Sequence, residues 1–103
     1  MAHYAFLDSE NIVTHVIVGR EEDEIVDGIT DWEEYYGNVH GQQCLRTSYN
    51  THNNEHIEGG TPFRGNYAGP GSEYREDLDA FIPPSPGSQY VLDETIMNWV
   101  LSE

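Results

Sequence analysis

The fold is decided by residues 2–18, AHYAFLDSENIVTHVIV. Two runs rich in aromatic and β-branched residues flank the turn formers Asp8-Ser-Glu-Asn11, and this pattern predicts a hairpin over residues 1–18. If Leu7 lies opposite Ile12, one face carries Tyr4, Phe6, Val13, His15 and Ile17, and the other carries His3, Ala5, Leu7, Ile12, Thr14, Val16 and Val18. Both faces are largely apolar. We therefore expect both to be covered, either by the rest of this chain or by a neighbouring molecule.

A short helix is predicted after this hairpin. Apolar residues recur at three- and four-residue spacing between positions 25 and 36, which predicts a helix over residues 27–36. We expect Asp27 or Thr30 to cap its beginning and Gly37-Asn38 to end it.

The remainder of the chain predicts further strands. Residues 43–49 alternate as a strand, and residues 50–72 are rich in Gly and Asn, which predicts a long irregular loop. Residues 72–101 predict two further hairpins, joined by the extended connector Pro83-Pro-Ser-Pro-Gly87. We expect residues 1–103 to form a single, mainly β domain with one short α-helix, since this length supports only one core.

The charge balance excludes two classes of partner. Nineteen Asp and Glu residues stand against four Arg and no Lys, and the net charge is -15. Nucleic-acid binding requires basic residues that displace phosphate counterions, and an anionic membrane surface also requires a basic protein. We expect neither partner. The acidity favours solubility and attraction to basic protein surfaces.

Cysteine usage and the first residues bear on the compartment. Cys44 is the only cysteine of the chain, so an intrachain disulfide is excluded. The opening residues lack the basic and apolar regions of a secretory signal, and the longest apolar run, Val16 to Val18, is too short to span a bilayer. We expect a soluble domain made in the cytoplasm.

Two segments raise the question of a metal. His52 and His56 have the spacing of zinc ligands on a helix, but Asn53-Asn54 and Gly59-Gly60 favour a loop. The sequence leaves open whether these histidines bind a metal. The acidic run Glu21–Glu24 lacks the glycine and the alternation of a calcium loop, so we expect a solvated loop there.

Two other segments raise the question of catalysis. Cys44 would be a nucleophile if His40 or His15 came close, but no family signature surrounds it, and a small strand residue is the favoured interpretation. Residues 65–71, GNYAGPG, resemble a phosphate-binding loop, yet they contain no Lys and lead into a predicted strand. We expect no cofactor and no enzymatic activity.

The later part of the chain carries a series of aromatic residues. These are Tyr49, Phe63, Tyr67, Tyr74, Phe81, Tyr90 and Trp99. Such rings stack on sugars, fill a groove of a partner or form the core of a loop-rich domain. The last interpretation is favoured, because the segment offers few other residues to fill a core.

Several segments together resemble one group of proteins. They are Thr47-Ser-Tyr-Asn-Thr-His52, Phe63-Arg-Gly-Asn-Tyr-Ala-Gly69, Tyr74 to Pro84 and Ser88 to Trp99. Their order resembles short proteins encoded by tailed phages, many of them marine or cyanobacterial, and the opening Met-Ala-His with its hairpin is similar as well. The C-terminal pattern is also similar to phage tail-fibre end modules. The resemblance covers nearly the whole chain, and it implies a virion component without catalytic residues.

The sequence and this resemblance lead to three functional hypotheses. The first is a non-enzymatic virion structural protein that acts as a capsid decoration or cement protein. The second is a tail, baseplate or fibre-adaptor accessory protein. The third is an acidic binding module or inhibitor directed at a host protein. The first two imply a multimeric assembly with other virion proteins, such as the major capsid protein or tail and baseplate proteins.

A set of aromatic and proline residues is expected to contact such partners. Its members are Tyr4, Phe6, Tyr49, Phe63, Tyr67, Phe81, Pro83, Pro84 and Trp99. We expect Tyr67 and the Pro83-Pro84 arm in particular to touch another chain.

Overall fold

A computed structural model describes residues 2–21 and 23–102. Met1, Glu22 and Glu103 lie outside these residues, so the predicted hairpin, acidic run and domain range are each assessed without them. About 39% of the structure is strand and 9% is helix, in small antiparallel sheets with one short helix, which confirms the predicted fold class. The elements are β1 (Ala2–Leu7), β2 (Val13–Gly19), α1 (Trp32–His40), β3 (Gln43–Thr47), β4 (Thr51–His52), β5 (Glu55–His56), β6 (Glu73–Arg75), β7 (Ala80–Ile82), β8 (Tyr90–Asp93) and β9 (Asn98–Leu101).

The largest sheet is antiparallel and has the order β2-β1-β3. Its hairpin forms as predicted, but the predicted register is wrong along its whole length. Leu7 lies opposite Val13 and not Ile12, Phe6 lies opposite His15 and not Val13, and the strand bulges where Thr14 is inserted. A bulge adds one residue to a strand and exchanges its faces beyond that point. Val13 therefore lies on the Leu7 face and not, as predicted, on the face of Tyr4 and Phe6.

Both faces of this sheet are covered by the chain itself. Helix α1 packs on the first face, where Trp32 joins Tyr4 and Phe6 in one buried cluster. The second face is covered by the C-terminal part of the chain. There Ala5, Leu7 and Val13 pack with Ala68, Tyr74 and Phe81. Burial of a large apolar side chain stabilises a fold by about 1.5–3 kcal/mol, so these two clusters supply most of the driving force.

Helix α1 begins five residues later than predicted. Asp27 (φ 52°) and Gly28 (φ 80°) both lie in the left-handed region and form a tight turn between Val26 and Ile29. The backbone N–H groups of Val26 and Ile29 each donate to the other's carbonyl, at 3.4 and 2.9 Å. Asp-Gly is the sequence that such a turn prefers, so the local turn chemistry overrides the helical spacing.

The ends of α1 also differ from the prediction. Asp31 is the N-cap, and its Oδ1 accepts the N–H of Glu34 at 3.1 Å. The helix continues through Gly37 and ends at His40, and Gly41, with φ 68°, is its C-cap. Gly37 remains in the helix because the helix lies close to β3 there: a Cβ on Gly37 would stand 2.9 Å from the Gln42 carbonyl oxygen. The absence of a side chain at this position permits the close packing of α1 on the sheet.

The predicted loop over residues 50–72 contains a hairpin of its own. Strands β4 and β5 pair across Asn53-Asn54, and both asparagines adopt positive φ, 51° and 59°. Asparagine tolerates this conformation, and two such residues form the turn that closes a two-residue hairpin. β3 ends at Thr47, two residues earlier than predicted, because the chain turns at Tyr49-Asn50 into β4.

The two C-terminal hairpins lie where the sequence predicts them. β6 pairs with β7 and β8 pairs with β9. The connector between them lies outside any strand, as its prolines require.

Candidate interaction surface

Three of the predicted contact residues are core residues. Tyr4, Phe6 and Phe81 are 1%, 0% and 0% exposed. Their side chains fill the two clusters on either side of the sheet, so they present no surface to a partner. The prediction is therefore wrong for these three positions. The physical reason is that α1 and the C-terminal segment of the same chain provide the cover that the hairpin requires.

The β8–β9 hairpin is an apolar element that the rest of the chain covers only in part. It carries six apolar or aromatic residues, and none of them is buried. Val91 and Leu101 are 48% and 64% exposed. The register places Val91 opposite Val100 on one face and Leu92 opposite Trp99 on the other. Each face of this hairpin is thus apolar and only partly covered.

Polar contacts hold this hairpin on the rest of the domain. The Trp99 Nε1–H donates to the Pro83 carbonyl at 2.6 Å, and the Asn66 Nδ2 amide donates to the Met97 carbonyl at 2.7 Å. The Asn54 Nδ2 amide donates to the Thr95 carbonyl at 3.3 Å. Because these contacts fix the hairpin at its turn and at Trp99, the far ends of both strands remain exposed.

The Pro83-Pro84 arm lies beside this hairpin. Pro83 is half-buried and its carbonyl accepts the indole N–H of Trp99, while Pro84 is exposed. The structure therefore brings together three of the predicted contact residues, Pro83, Pro84 and Trp99, at one end of the β8–β9 hairpin.

Tyr49 and Tyr67 form a second, separate cluster with His3. The ring of His3 stacks on that of Tyr49 with centroids 5.7 Å apart, and Tyr67 meets both rings edge-on at 5.6 and 5.4 Å. Tyr49 is 60% exposed. Burial, and to a lesser degree the neighbouring Tyr49, raises the pKa of the Tyr67 phenol. This cluster projects from the end of the three-stranded sheet, beside the exposed Val18 of β2.

Two arginine side chains of the same chain, Arg46 and Arg64, pack on the ring of Phe63. The guanidinium carbons of Arg46 and Arg64 lie 4.0 and 4.8 Å from its ring centroid. Arg64 Nη1 also contacts Glu33 Oε2 at 2.9 Å, and Arg64 Nε contacts Asp79 Oδ1 at 3.2 Å. Burial lowers the pKa of the Arg64 guanidinium, but the hydrogen bond and charge of Glu33 outweigh this effect and the pKa is raised.

A cavity of about 450 Å³ lies next to these cations, lined also by Tyr4, Trp32 and Asp31. Acidic and basic side chains line this cavity together with aromatic rings. Arg64 is engaged with the carboxylates of its own chain, so this cluster ties α1, β3 and the loop after β5 together. We interpret Phe63 as a structural residue of this cluster.

The histidine pair in the loop is separated by the β4–β5 hairpin. Thr51 lies opposite His56 and His52 opposite Glu55, so the two imidazoles lie on opposite faces. His52 Nε2 lies 3.1 Å from the Tyr49 carbonyl, and His56 Nδ1 accepts the N–H groups of Glu58 and Gly60 at 3.1 and 3.2 Å. Within residues 2–21 and 23–102, no group of three His, Cys, Asp or Glu side chains has the arrangement of a metal site.

Cys44 is buried in the sheet, and its neighbours do not activate it. Burial and the nearby Glu33 carboxylate raise the pKa of its thiol to about 12, so the thiol keeps its proton at neutral pH. The ring of His15 stacks on Phe6 with centroids 4.5 Å apart, and the tilted ring of His40 packs against Phe6 at 4.2 Å. These contacts agree with the interpretation of Cys44 as a small core residue.

Sequence reasoning missed two parts of this picture. The exposure of Val91 and Leu101 was not predicted, although both lie in short strands that a small core cannot fully cover. The central role of Asn66 was also missed. Its side chain bonds to Asn53, Phe81 and Met97, and nothing in the surrounding GNYAG sequence distinguishes it from an ordinary turn asparagine.

No protein-family model matches this chain, and comparisons with curated proteins and with solved structures found no similar protein. In the part of the chain that the structure describes, no helix has the length and apolar character needed to cross a membrane.

Proposed function

We propose that this protein is a non-enzymatic structural component of a tailed-phage virion, and that it acts as a capsid decoration or cement protein. The observation that carries the proposal is the β8–β9 hairpin, which has apolar residues on both faces and none of whose residues is buried. An isolated two-stranded hairpin is marginally stable in water, so an added protein surface would stabilise it. The assignment to a virion is supported by the sequence resemblance to short proteins of tailed phages.

The surface charge supports display on a large particle. A chain with net charge -15 repels its own copies, which keeps densely arranged subunits soluble and separated. The same charge attracts the domain to a basic shell protein. The partner in this proposal is therefore a different virion protein that covers the hairpin and the Pro83-Pro84 arm.

The surroundings of Cys44, the candidate nucleophile, support a role without catalysis. Cys44 is buried with a protonated thiol, and His15 and His40 pack against Phe6. Nucleophilic catalysis requires a reactive group that a base activates, and these side chains serve packing instead.

A tail, baseplate or fibre-adaptor role is the second candidate. It is favoured by one specific observation: the hairpin with the most exposed apolar surface is also the segment whose sequence is similar to tail-fibre end modules. The domain is elongated, with extents of 54 × 33 × 20 Å, a shape that also suits an adaptor.

The test is mass spectrometry of gradient-purified phage particles after separation into heads and tails. A copy number proportional to that of the major capsid protein, in the head fraction, is the expected result. A few copies in the tail fraction would support the second candidate. Absence from both fractions would contradict a virion role and favour an acidic module directed at a host protein.

A pair of variants tests the surface itself. Val91→Ser combined with Leu101→Ser is expected to abolish incorporation into particles, with a change in the free energy of unfolding within about 0.5 kcal/mol because both residues are exposed. Ile57→Ser, at a similarly exposed apolar residue outside the hairpin, is the matched control and retains incorporation. Equal incorporation of all variants would contradict the assignment of this hairpin as the contact surface.

A further inference from the structure

The two edges of the three-stranded sheet differ in how they are protected. At the β3 edge, the backbone N–H of Arg46 donates to Glu33 Oε2 at 2.7 Å. The carbonyl of Arg46 accepts Arg64 Nη1 at 2.8 Å. Side chains of this chain thus bond to the outward groups of β3, and no further strand can pair with Arg46.

From the direction of these bonds, one can also work out which backbone groups of β2 point outward. In antiparallel sheets, successive residues direct their backbone groups alternately to the two neighbouring strands. Since Arg46 points away from β1, its partner Tyr4 bonds on the opposite side, to Ile17 of β2. Val16 and Val18, on either side of Ile17, therefore direct their N–H and C=O groups away from the sheet.

The open part of the β2 edge is bounded at both ends. At one end, the Val13 N–H donates to the Ser72 carbonyl and the Val13 carbonyl accepts the Gly71 N–H, both at 2.8 Å. At the other end, the Arg20 N–H donates to the Tyr36 hydroxyl at 3.0 Å. Between these bonds, the outward groups of Val16 and Val18 make no hydrogen bond to any residue that the structure describes. Two N–H and two C=O groups are thus available to an added strand.

The open part of this edge lacks the features that usually prevent pairing. Natural edge strands are protected by charged residues, proline, a bulge or a covering element. Val13–Gly19 contains no charged residue and no proline, and its bulge at Thr14 lies before the open groups of Val16 and Val18. Val18 is 54% exposed, and it lies opposite His3, which stacks on Tyr49. A side chain of an added strand would pack there on Val18 and on the His3–Tyr49–Tyr67 cluster.

The charges near β2 indicate what kind of strand would bind. Carboxylates stand at both ends of the uncharged strand, Asp8 and Glu10 before it and Glu21 and Asp23 after it. Arg20, which directly follows the strand, is paired with Glu24 at 3.6 Å, so the flanking charge is negative on balance. Lysine or arginine at the ends of an incoming segment would complement them. A second copy of this chain is disfavoured, because either orientation would bring two acidic ends together.

From this combination we infer that the outer edge of β2 binds an extended segment of a partner protein by β-strand addition. The segment has apolar residues at alternate positions and Lys or Arg at its ends. Backbone hydrogen bonds to Val16 and Val18 provide affinity, and the flanking carboxylates provide selectivity. This inference does not depend on the virion proposal, because any basic partner with such a segment satisfies it.

The test uses a synthetic peptide of the sequence KKVTVTVKK with blocked termini, and the full chain. Hydrogen exchange followed by NMR is expected to show added protection of the Val16 and Val18 amides on binding, with the Ile17 amide unchanged. Binding is expected to weaken as salt is raised from about 0.1 M to 1 M, because screening shortens from about 10 Å to about 3 Å. A peptide with Glu in place of every Lys is the matched control and is expected not to bind.

Two variants at one position separate backbone pairing from side-chain contact. Val18→Pro removes an outward N–H and is expected to weaken peptide binding at least about tenfold, whereas Val18→Thr keeps that N–H and is expected to bind within about threefold of the unchanged chain. If Val18→Pro does not fold, the exchange measurement on the unchanged chain decides. Unprotected Val16 and Val18 amides, or equal binding of the Glu peptide, would overturn the inference. So would a peptide-free dimer that protects the same amides.

Discussion

Replacement of Asn66 by alanine is expected to be among the most destabilising single changes in this domain. Asn66 is 8% exposed. Its Nδ2 amide donates to the carbonyls of Phe81 and Met97 at 2.9 and 2.7 Å, and its Oδ1 accepts the Asn53 N–H at 2.8 Å. One side chain thus joins the β4–β5 turn, strand β7 and the turn before β9.

The size of the effect follows from these three bonds. A typical hydrogen bond contributes about 1 kcal/mol net, and a buried group left without a partner costs about 1–3 kcal/mol. Asn66→Ala leaves two carbonyls and one N–H without their partner, so we expect a loss of about 3 kcal/mol. Domains of this size have a total stability of about 5–15 kcal/mol, so the loss is a large fraction.

Urea unfolding monitored by tryptophan fluorescence measures this loss. Asn66→Asp separates hydrogen bonding from shape, because the carboxylate has the same shape but directs an acceptor at two carbonyls. It is expected to be at least as destabilising as Asn66→Ala. Asn38→Ala, on the exposed face of α1, is the control and is expected to change stability by about 0.5 kcal/mol or less. A loss below about 0.5 kcal/mol for Asn66→Ala would refute the assignment of Asn66 as a structural centre.

Three further predictions concern individual side chains. Arg64→Lys is expected to lower the free energy of unfolding by about 1–2 kcal/mol, since one ammonium cannot keep the contacts that the guanidinium makes to Glu33, Asp79 and the Arg46 carbonyl. Thermal unfolding measures this loss, and an unchanged Tm would contradict it. Cys44 is expected to react with a thiol-specific reagent only through unfolding. Because its pKa rises from 9.0 to about 12 on folding, stability is expected to fall as pH rises between those values, and less so in Cys44→Ala. Hydrogen bonds from Thr95 hold the pKa of Asp93 below its usual range. The turn between β8 and β9 is therefore expected to lose stability as the pH falls through the pKa of Asp93. Thr95→Ala is expected to raise the pKa of Asp93, as measured by NMR titration.

The first hairpin illustrates what the sequence could predict. Alternation and turn residues located β1 and β2, and the apolar character of both faces correctly required cover on each side. The sequence did not decide between cover by this chain and cover by a neighbour. That choice depends on packing between residues far apart in the chain, such as the cluster that contains both Leu7 and Phe81, which no local pattern encodes.

The helix and the aromatic residues show why the rest could not be predicted. Positions 25–36 satisfy a helical spacing, but Asp27-Gly28 forms a turn whose preference is stronger than the spacing. Phe81 and Trp99 both lie in strands with similar composition, yet one is fully buried and the other is half-exposed. Their difference arises from the position of each hairpin relative to the sheet, a tertiary property.

The order of the sheet has a consequence for synthesis on the ribosome. β1 is the central strand, and its sheet is complete once β3, which ends at Thr47, has been made. The second apolar face is covered only after Phe81 of β7 has been made. At about 5–20 residues per second, the intervening stretch takes roughly 2–7 seconds to emerge. During that interval Leu7 and Val13 are exposed on the nascent chain, and a chaperone bound at the exit tunnel would meet this face before the C-terminal half covers it.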